Sequence, residues 1–240
     1  MTVQNIVSTP QAENTSANPS RADGYLSAWS LPVSGKEFGA VAEGTYFTAI
    51  TPTSGTGLLG HAAPTTFDQT KAFLYLYNAG TTKSIYPQFV TFTETAASVG
   101  GTTGGLRIVP VIDFGNRYGG SGGTALTVVN NNSASSNTTG ATTCVAGAPV
   151  LTAATANARN LGDIVFRQTL NDIIGDKFTI VFGATSAMGN VASQVATLAE
   201  FSQVTVPIAI GPGASLGLHI WRASMSTGPT LEVQMGWIER

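Results

Sequence analysis

The clearest pattern in the chain is a strict alternation of apolar and polar residues near its last positions. Within Thr230–Ile238, Leu231, Val233, Met235 and Trp237 alternate with Glu232, Gln234 and Gly236. Successive side chains of a β-strand point to opposite faces, so this segment predicts a strand with one face in a core and the other in water. A shift of one residue would expose every apolar side chain, which fixes the pairing register.

Short segments rich in β-branched and aromatic residues continue from Glu43 onward, separated by Gly, Pro, Ser, Thr and Asn clusters, a pattern typical of successive strands. The predicted strands are Thr45–Thr51, Ala72–Tyr77, Ile85–Thr93, Leu106–Ile112, Ala125–Val129, Asp163–Thr169, Lys177–Phe182, Val204–Ile210, Leu216–Arg222 and Thr230–Ile238. They predict an all-β fold, an antiparallel, jelly-roll-like β-sandwich with at most one or two short helices. Turn residues after Ile210 and before Thr230 predict that Val204–Ile238 is a three-stranded antiparallel meander.

For two segments the sequence pattern does not decide between a helix and a strand. In Asn190–Phe201, Val191, Val195 and Leu198 recur at helical spacing, whereas Arg159–Ile174 fits both periods. A short helix in either segment is compatible with the predicted fold class.

Composition divides the chain into an arm and a domain. Residues 1–30 are mostly small and polar, with few large apolar side chains before Tyr25 and Trp29. We predict an extended N-terminal arm here that becomes ordered only against a partner, followed by the sandwich domain at residues 31–240. Within that domain, Gly-rich and Asn/Ser/Thr-rich stretches predict a flexible loop at residues 115–143.

The strand predicted at Ala72–Tyr77 is apolar on both faces. Its two alternating sets are Phe73, Tyr75 and Tyr77 on one face and Leu74 and Leu76 on the other. One interpretation is a central strand covered on both sides, and the other is a strand with one face in a subunit contact.

Charge and composition narrow the class of protein. Only 10% of residues are charged while 42% are hydrophobic, which favours a folded, neutral β-protein because disordered chains are charge-rich and apolar-poor. A net charge of −2 with eleven dispersed basic residues lacks the basic patch that nucleic acids bind, so we expect no direct nucleic-acid partner. The single Cys144 excludes an internal disulfide. We also expect neither a secretory signal nor a membrane span, hence synthesis in the cytoplasm.

Gly55–Gly60 matches the dinucleotide-binding pattern G-x-G-x-x-G. That site needs a helix immediately after the motif to hold the pyrophosphate, but His61-Ala62-Ala63-Pro64 and a Thr-rich turn follow. We interpret the motif as a glycine-rich surface loop and expect no cofactor.

Gly119–Gly123 formally fits the G-x-S-x-G nucleophile motif, with Asp163, Asp172 and His219 following in hydrolase order. Ser121 lies in a Gly tract rather than at a strand-to-helix turn, and His219 falls within a predicted strand. We therefore expect no catalytic residues and classify the protein as non-enzymatic.

Asp113-Phe114-Gly115 resembles the magnesium-binding triplet of kinases, but no other kinase motif accompanies it. We interpret Asp113 as a turn acceptor and Gly115 as a residue with positive φ. Neither histidine has metal ligands at suitable spacing. Asp172 and Asp176 lack the further ligands of a calcium loop, so we interpret them as solvated carboxylates and expect no metal site.

Aromatic residues offer one binding hypothesis. A platform for stacking sugars could be formed by Trp29, Trp221, Trp237, Tyr46, Tyr75 and Tyr86. Trp237 belongs to the apolar face of its strand and should be core, whereas Trp221 shares a face with His219 and Gly217 and is the better candidate for exposure.

Four features of the chain occur together: its neutral, Thr/Gly/Ala-rich composition, the polar arm, the Gly/Asn-rich loops and the segment VTVPIAIGPGASLGLHIWRASMSTGPTLEVQMGWIER. In these features the chain resembles structural proteins of tailed-bacteriophage virions, especially β-sandwich or jelly-roll head decoration proteins. The resemblance is best over residues 203–240 and moderate over 44–113, and it includes no diagnostic motif. It implies a non-enzymatic capsid decoration protein without cofactor, commonly a homotrimer, that clamps major capsid subunits.

From this resemblance we expect a virion protein, assembled in the host cytoplasm, that binds the major capsid protein or other virion proteins and copies of itself but no membrane. The candidate interface residues are Tyr25, Trp29, Tyr75, Tyr77 and Trp221. Two alternatives remain open, a receptor- or carbohydrate-binding tail or fibre protein and a jelly-roll capsid protein that forms the shell itself.

Overall fold

The chain divides into two compact units, Met1–Gly39 and Ala40–Arg240. The computed structural model describes residues 21–22, 28–29, 36–63, 66–100, 106–167, 174–183 and 200–240. In the first unit, strands β1 (Arg21–Ala22) and β2 (Ala28–Trp29) pair antiparallel. The rest of the predicted arm lies outside the described residues. Helix α1 (Lys36–Ala42) begins in the first unit and ends in the second.

The second unit contains two seven-stranded sheets packed against each other. Its strands are β3 (Tyr46–Ile50), β4 (Leu58–Leu59), β5 (Leu74–Asn78), β6 (Ile85–Ala96), β7 (Val99–Gly100), β8 (Leu106–Phe114), β9 (Tyr118–Ala125), β10 (Thr127–Asn130), β11 (Ala141–Leu151), β12 (Arg159–Asn160), β13 (Ile164–Arg167), β14 (Lys177–Phe182), β15 (Glu200–Thr205), β16 (Ala214–Trp221), β17 (Met225–Thr227) and β18 (Thr230–Glu239). Among the described residues 54% are in strands and 4% in a helix, so the predicted all-β sandwich is confirmed.

The two sheets differ in which strands they combine. Sheet I has the order β10-β3-β18-β6-β14-β15, and β4 also pairs with β18. Sheet II has the order β12-β8-β16-β5-β11-β9, and β13 also pairs with β8. The two short strands β7 and β17 pair separately.

The core lies between sheets I and II, where the period-2 pattern places its residues. In β18, Leu231, Met235 and Trp237 are fully buried, as the alternation predicted. They share one cluster with Leu74 of β5 and Leu218 of β16 from the opposite sheet. Within its own sheet β18 lies between β3 and β6, so both of its edges are paired.

The meander predicted for Val204–Ile238 is wrong. Strands β15 and β18 belong to sheet I, whereas β16 belongs to sheet II, where it pairs with β5 and β8. The turns on either side of β16 carry the chain across the sandwich instead of joining hairpin neighbours. Turn residues reveal where the chain reverses, but they do not reveal which sheet the next strand joins.

One strand pair departs from the antiparallel pattern. β14 and β15 run parallel at the edge of sheet I, and a parallel pair needs a crossover connection, whose residues 184–199 lie outside the described part of the chain. The strand predicted at Val204–Ile210 is displaced, since β15 is Glu200–Thr205 and Ile210 makes only an isolated bridge to Ile85.

The flexible loop predicted at residues 115–143 is corrected by strands in that region. It contains β9, β10 and the beginning of β11, and β9 forms an edge of sheet II. Gly120, Gly122 and Gly123 have positive φ, and the β9–β11 register shifts at Pro149. Bulges break the alternation that identifies a strand in a sequence, so the pattern missed both β9 and β11.

The two ambiguous segments resolve only in part. Between Arg159 and Arg167 the chain forms β12 and β13 rather than a helix, and residues 168–173 lie outside the described part. The possibility of a helix in Asn190–Phe201 also falls outside it, except that β15 begins at Glu200. Among the described residues, no helix has the length and apolarity to cross a membrane.

Candidate functional site

The structure describes the side chains of three of the five candidate interface residues. Tyr25 lies outside the described residues, and Trp29 is described only as part of β2. Tyr75 is buried on the outer face of sheet II, with Tyr77 packed half-buried against its cluster. Trp221 is half-buried at the end of β16 on that same face. The three candidates whose side chains the structure describes, Tyr75, Tyr77 and Trp221, therefore share the outer face of sheet II.

Tyr75 is corrected as an interface residue because its side chain is only 1% exposed. Strand β5 is central in sheet II, its Leu74 and Leu76 face the core, and Ala72 and Val145 pack beside Tyr75 on the outer face. The interpretation of a central strand covered on both sides is thus the correct one. Burial raises the pKa of the Tyr75 hydroxyl.

A buried arginine attaches the covering loops to this face. Arg117 is 3% exposed, and its guanidinium donates to the backbone oxygen of Gln69 at 2.6 Å and to that of Thr152 at 2.9 Å. Its backbone N–H donates to the Tyr75 hydroxyl at 2.7 Å. Two loops distant in sequence are therefore held on sheet II by one side chain.

The carboxylate of Asp113 lies beside this guanidinium, 3.6 Å from Arg117 Nε. It accepts hydrogen bonds from the backbone N–H groups of Phe114 and Thr155 and from the Thr155 hydroxyl. Burial alone would raise the pKa of Asp113, but these hydrogen bonds and the Arg117 charge lower it. The expected roles are confirmed, because Asp113 is a turn acceptor and Gly115 has φ of 105°.

Ser121 and His219, which the hydrolase pattern would pair, differ in their exposure to solvent. Ser121 is exposed in edge strand β9, while His219 is 1% exposed in β16. His219 Nε2 lies 3.1 Å from the Gln69 backbone oxygen, and Gly217 leaves space for the imidazole ring. Burial lowers the pKa of His219 to about 4 although this hydrogen bond opposes the shift, so the ring is neutral at pH 7.

Acid is expected to destabilise the fold through His219. Its pKa falls from an ordinary 6.5 to about 4 on folding, so the unfolded chain binds the proton more readily and stability decreases as pH falls through this interval. The shift corresponds to roughly 3 kcal/mol. Asp113, with its lowered pKa, adds a further loss at lower pH. Urea unfolding from neutral to acidic pH measures the slope, and His219→Gln should flatten it between 6.5 and 4; an unchanged slope would assign the acid sensitivity to other groups.

Beside His219, the outer face of sheet II forms an open groove of about 320 Å³. Among the described residues its lining is Phe67, Val109, Asn160, Gly162, Asp163 and Trp221. The Phe67 ring stands perpendicular to the Trp221 ring, with centroids 6.1 Å apart, and also contacts His219. An ion pair joins Asp163 to Arg107, which is opposite Trp221 in the β8–β16 register. The groove thus combines aromatic residues, Phe67 and Trp221, with polar residues, Asn160 and Asp163. We call these two pairs the aromatic wall and the polar wall.

The outer face of sheet I has a different character, because two rows across five of its strands carry no formal charge. Following the strand register, the first row is Thr179, Thr91, Gln234, Ile50 and Thr127, and the second is Val181, Phe89, Gly236, Thr48 and Val129. We call these ten positions the neutral face. The adjacent row contains Lys177, Thr93 and Glu232, so on this side charge begins one row beyond the neutral face.

The remaining sequence motifs fall on ordinary structural elements. In the G-x-G-x-x-G motif, Leu58 and Leu59 form β4 and no helix follows within 60–63 or 66–100. Asp176 is buried rather than solvated, which corrects our interpretation, and Asp172 lies outside the described residues. No group of three or more His, Cys, Asp or Glu side chains in the described ranges could hold a metal ion. Burial raises the pKa of Cys144 to about 12.

Sequence reasoning identified Trp221 but missed the other groove residues. Phe67 and Asn160 lie in polar segments without periodicity, and Asp163 was considered only as a member of a catalytic triad. They meet because β8, β12 and β16 are neighbours in sheet II. The one local signal was an aromatic residue on a strand face shared with His219.

The chain was compared with family models, with curated proteins and with solved structures, and none of the three comparisons found a match.

Proposed function

We propose that the protein is a non-enzymatic structural component of a viral particle, a decoration protein that binds the capsid lattice and associates with copies of itself, most simply as a homotrimer. The proposal rests on the neutral face of sheet I together with the virion-like composition. In a symmetric trimer this face contacts a different surface of the next copy, because such a heterologous contact closes into a ring.

The neutral face is suited to a dry contact. Ile50 and Val129 are 39% and 45% exposed, so apolar surface is available for burial. Three hydroxyl groups on the same face already have partners, since Thr91 Oγ1 lies 3.1 Å from Thr179 Oγ1 and Thr48 donates to Asn131 at 2.8 Å. Gln234 and Thr127 are exposed polar side chains that the contact must satisfy, but no charge of the ten positions must be desolvated.

Association of the purified chain should fail when charge is placed on the neutral face. The double variant Ile50→Lys/Val129→Lys should weaken self-association by about 100-fold or more, because an unpaired buried ammonium costs several kcal/mol. Light scattering of concentration series measures the effect. Val150→Lys places charge on a strand of sheet II, where Val150 is 50% exposed; it should associate like the unmodified chain unless sheet II supplies the complementary surface of the next copy.

A wild-type chain that stays monomeric at all concentrations, or a double variant that associates normally, would contradict the proposal. Electron microscopy of the same samples separates the shell-forming alternative, because a decoration protein gives small oligomers whereas a shell protein gives closed particles.

A further inference from the structure

We infer that the groove beside Trp221 is a binding site for a neutral sugar, a pyranoside of one or two rings. This inference is independent of the assembly proposal, because the groove is on the outer face of sheet II and the neutral face is on the outer face of sheet I. A volume of about 320 Å³ is at the lower end of the range of small-molecule sites.

The aromatic wall matches the apolar face of a pyranose ring. Trp221 and Phe67 lie at right angles, and Val109 contributes further apolar surface between β12 and β16. Phe67 contacts both Trp221 and buried His219, so the indole is held in place before any ligand arrives. A preorganised aromatic surface loses little side-chain entropy on binding.

The polar wall matches the hydroxyl groups of a sugar, which both donate and accept hydrogen bonds. Asp163 supplies a carboxylate held by Arg107, and its side chain remains 48% exposed. Asn160 Oδ1 accepts from Gln69 Nε2 at 2.9 Å, which orients the amide so that its nitrogen remains available as a donor. A carboxylate acceptor and an amide donor thus lie beside an aromatic surface.

Charge decides against an anionic ligand in this groove. Among the described lining residues the one formal charge is that of Asp163, which is paired with Arg107. The lining therefore offers no cation to a phosphate or carboxylate ligand, whereas an uncharged polyol needs none. The groove chemistry selects neutral sugars over nucleotides and acidic glycans.

Saturation-transfer NMR with methyl glycosides of glucose, galactose, mannose and N-acetylglucosamine at millimolar concentration tests the inference. At least one glycoside should bind, and Trp221→Ala should weaken it about tenfold, as expected for the loss of one aromatic stacking contact. Asp163→Asn should also weaken binding while preserving the fold. Phe114→Ala is the matched control, because Phe114 is an aromatic residue that is 63% exposed and not part of the groove lining.

The inference is overturned if none of the glycosides shows transfer, if only charged ligands such as sialosides or nucleotides do, or if Phe114→Ala reduces binding as much as Trp221→Ala. Far-UV circular dichroism of each variant confirms folding, and Trp221→Phe, which keeps an aromatic ring, should retain part of the affinity. The neutral-face variants test the assembly proposal separately, so failure of this inference leaves that proposal intact.

Discussion

Replacing Arg117 with Met is expected to lower the free energy of unfolding by about 3–5 kcal/mol, the range found when one partner of a buried ion pair is removed. The substitution leaves Asp113 buried without its cation and removes the Arg117 donors to the backbone oxygens of Gln69 and Thr152, of which the Gln69 oxygen keeps His219 Nε2 as a partner. Urea unfolding followed by far-UV circular dichroism measures the loss.

Two further variants separate the buried pair from general effects of removing an arginine. Arg107→Met breaks an ion pair in which both side chains are about one-third to one-half exposed, and it should cost no more than about 1 kcal/mol. Combining Arg117→Met with Asp113→Asn should be less destabilising than the sum of the two single changes, because the neutral amide no longer needs the guanidinium. Strict additivity, or equal losses for the two arginines, would argue against a buried coupled pair.

Trp237→Ala is expected to destabilise the sandwich by a similar 3–5 kcal/mol, since truncation of a buried aromatic residue leaves a cavity that the sheets cannot fill. Trp237 is 0% exposed, stacks on Phe47 with centroids 6.2 Å apart, and donates from Nε1 to Glu239 at 3.0 Å. The change also leaves the buried Glu239 carboxylate with one donor fewer.

Two further variants, Trp237→Phe and Trp221→Ala, are the controls for this prediction. Phe refills most of the volume, so Trp237→Phe should cost only about 1–2 kcal/mol. Trp221→Ala removes an indole that is only half-buried, and it should destabilise less than Trp237→Ala in urea titrations. A loss at Trp221 equal to that at Trp237 would show that the two indoles contribute alike to stability, contrary to their burial.

The local pattern was sufficient where a strand has one face in the core and no bulge. β18 is such a strand, and so is β14 at Lys177–Phe182, whose predicted limits are those observed. It failed for β9 and β11, where glycines with positive φ and shifted registers interrupt the alternation. Of the residues that line the groove, only Trp221 could be chosen from the sequence, because the other lining residues have no periodic signal.

The sequence by itself determined the fold class and the inward face of most strands, since a period of two residues decides which side chains leave water. Only the tertiary structure decided which strands are neighbours, for example that β16 pairs with β5 and β8 while β18 pairs with β3 and β6. Backbone N–H and C=O groups are alike in nearly every residue, so strand pairing carries little side-chain signature. The burial of Arg117 could not be predicted from the sequence either, because its acceptors at Gln69 and Thr152 are 48 and 35 positions away.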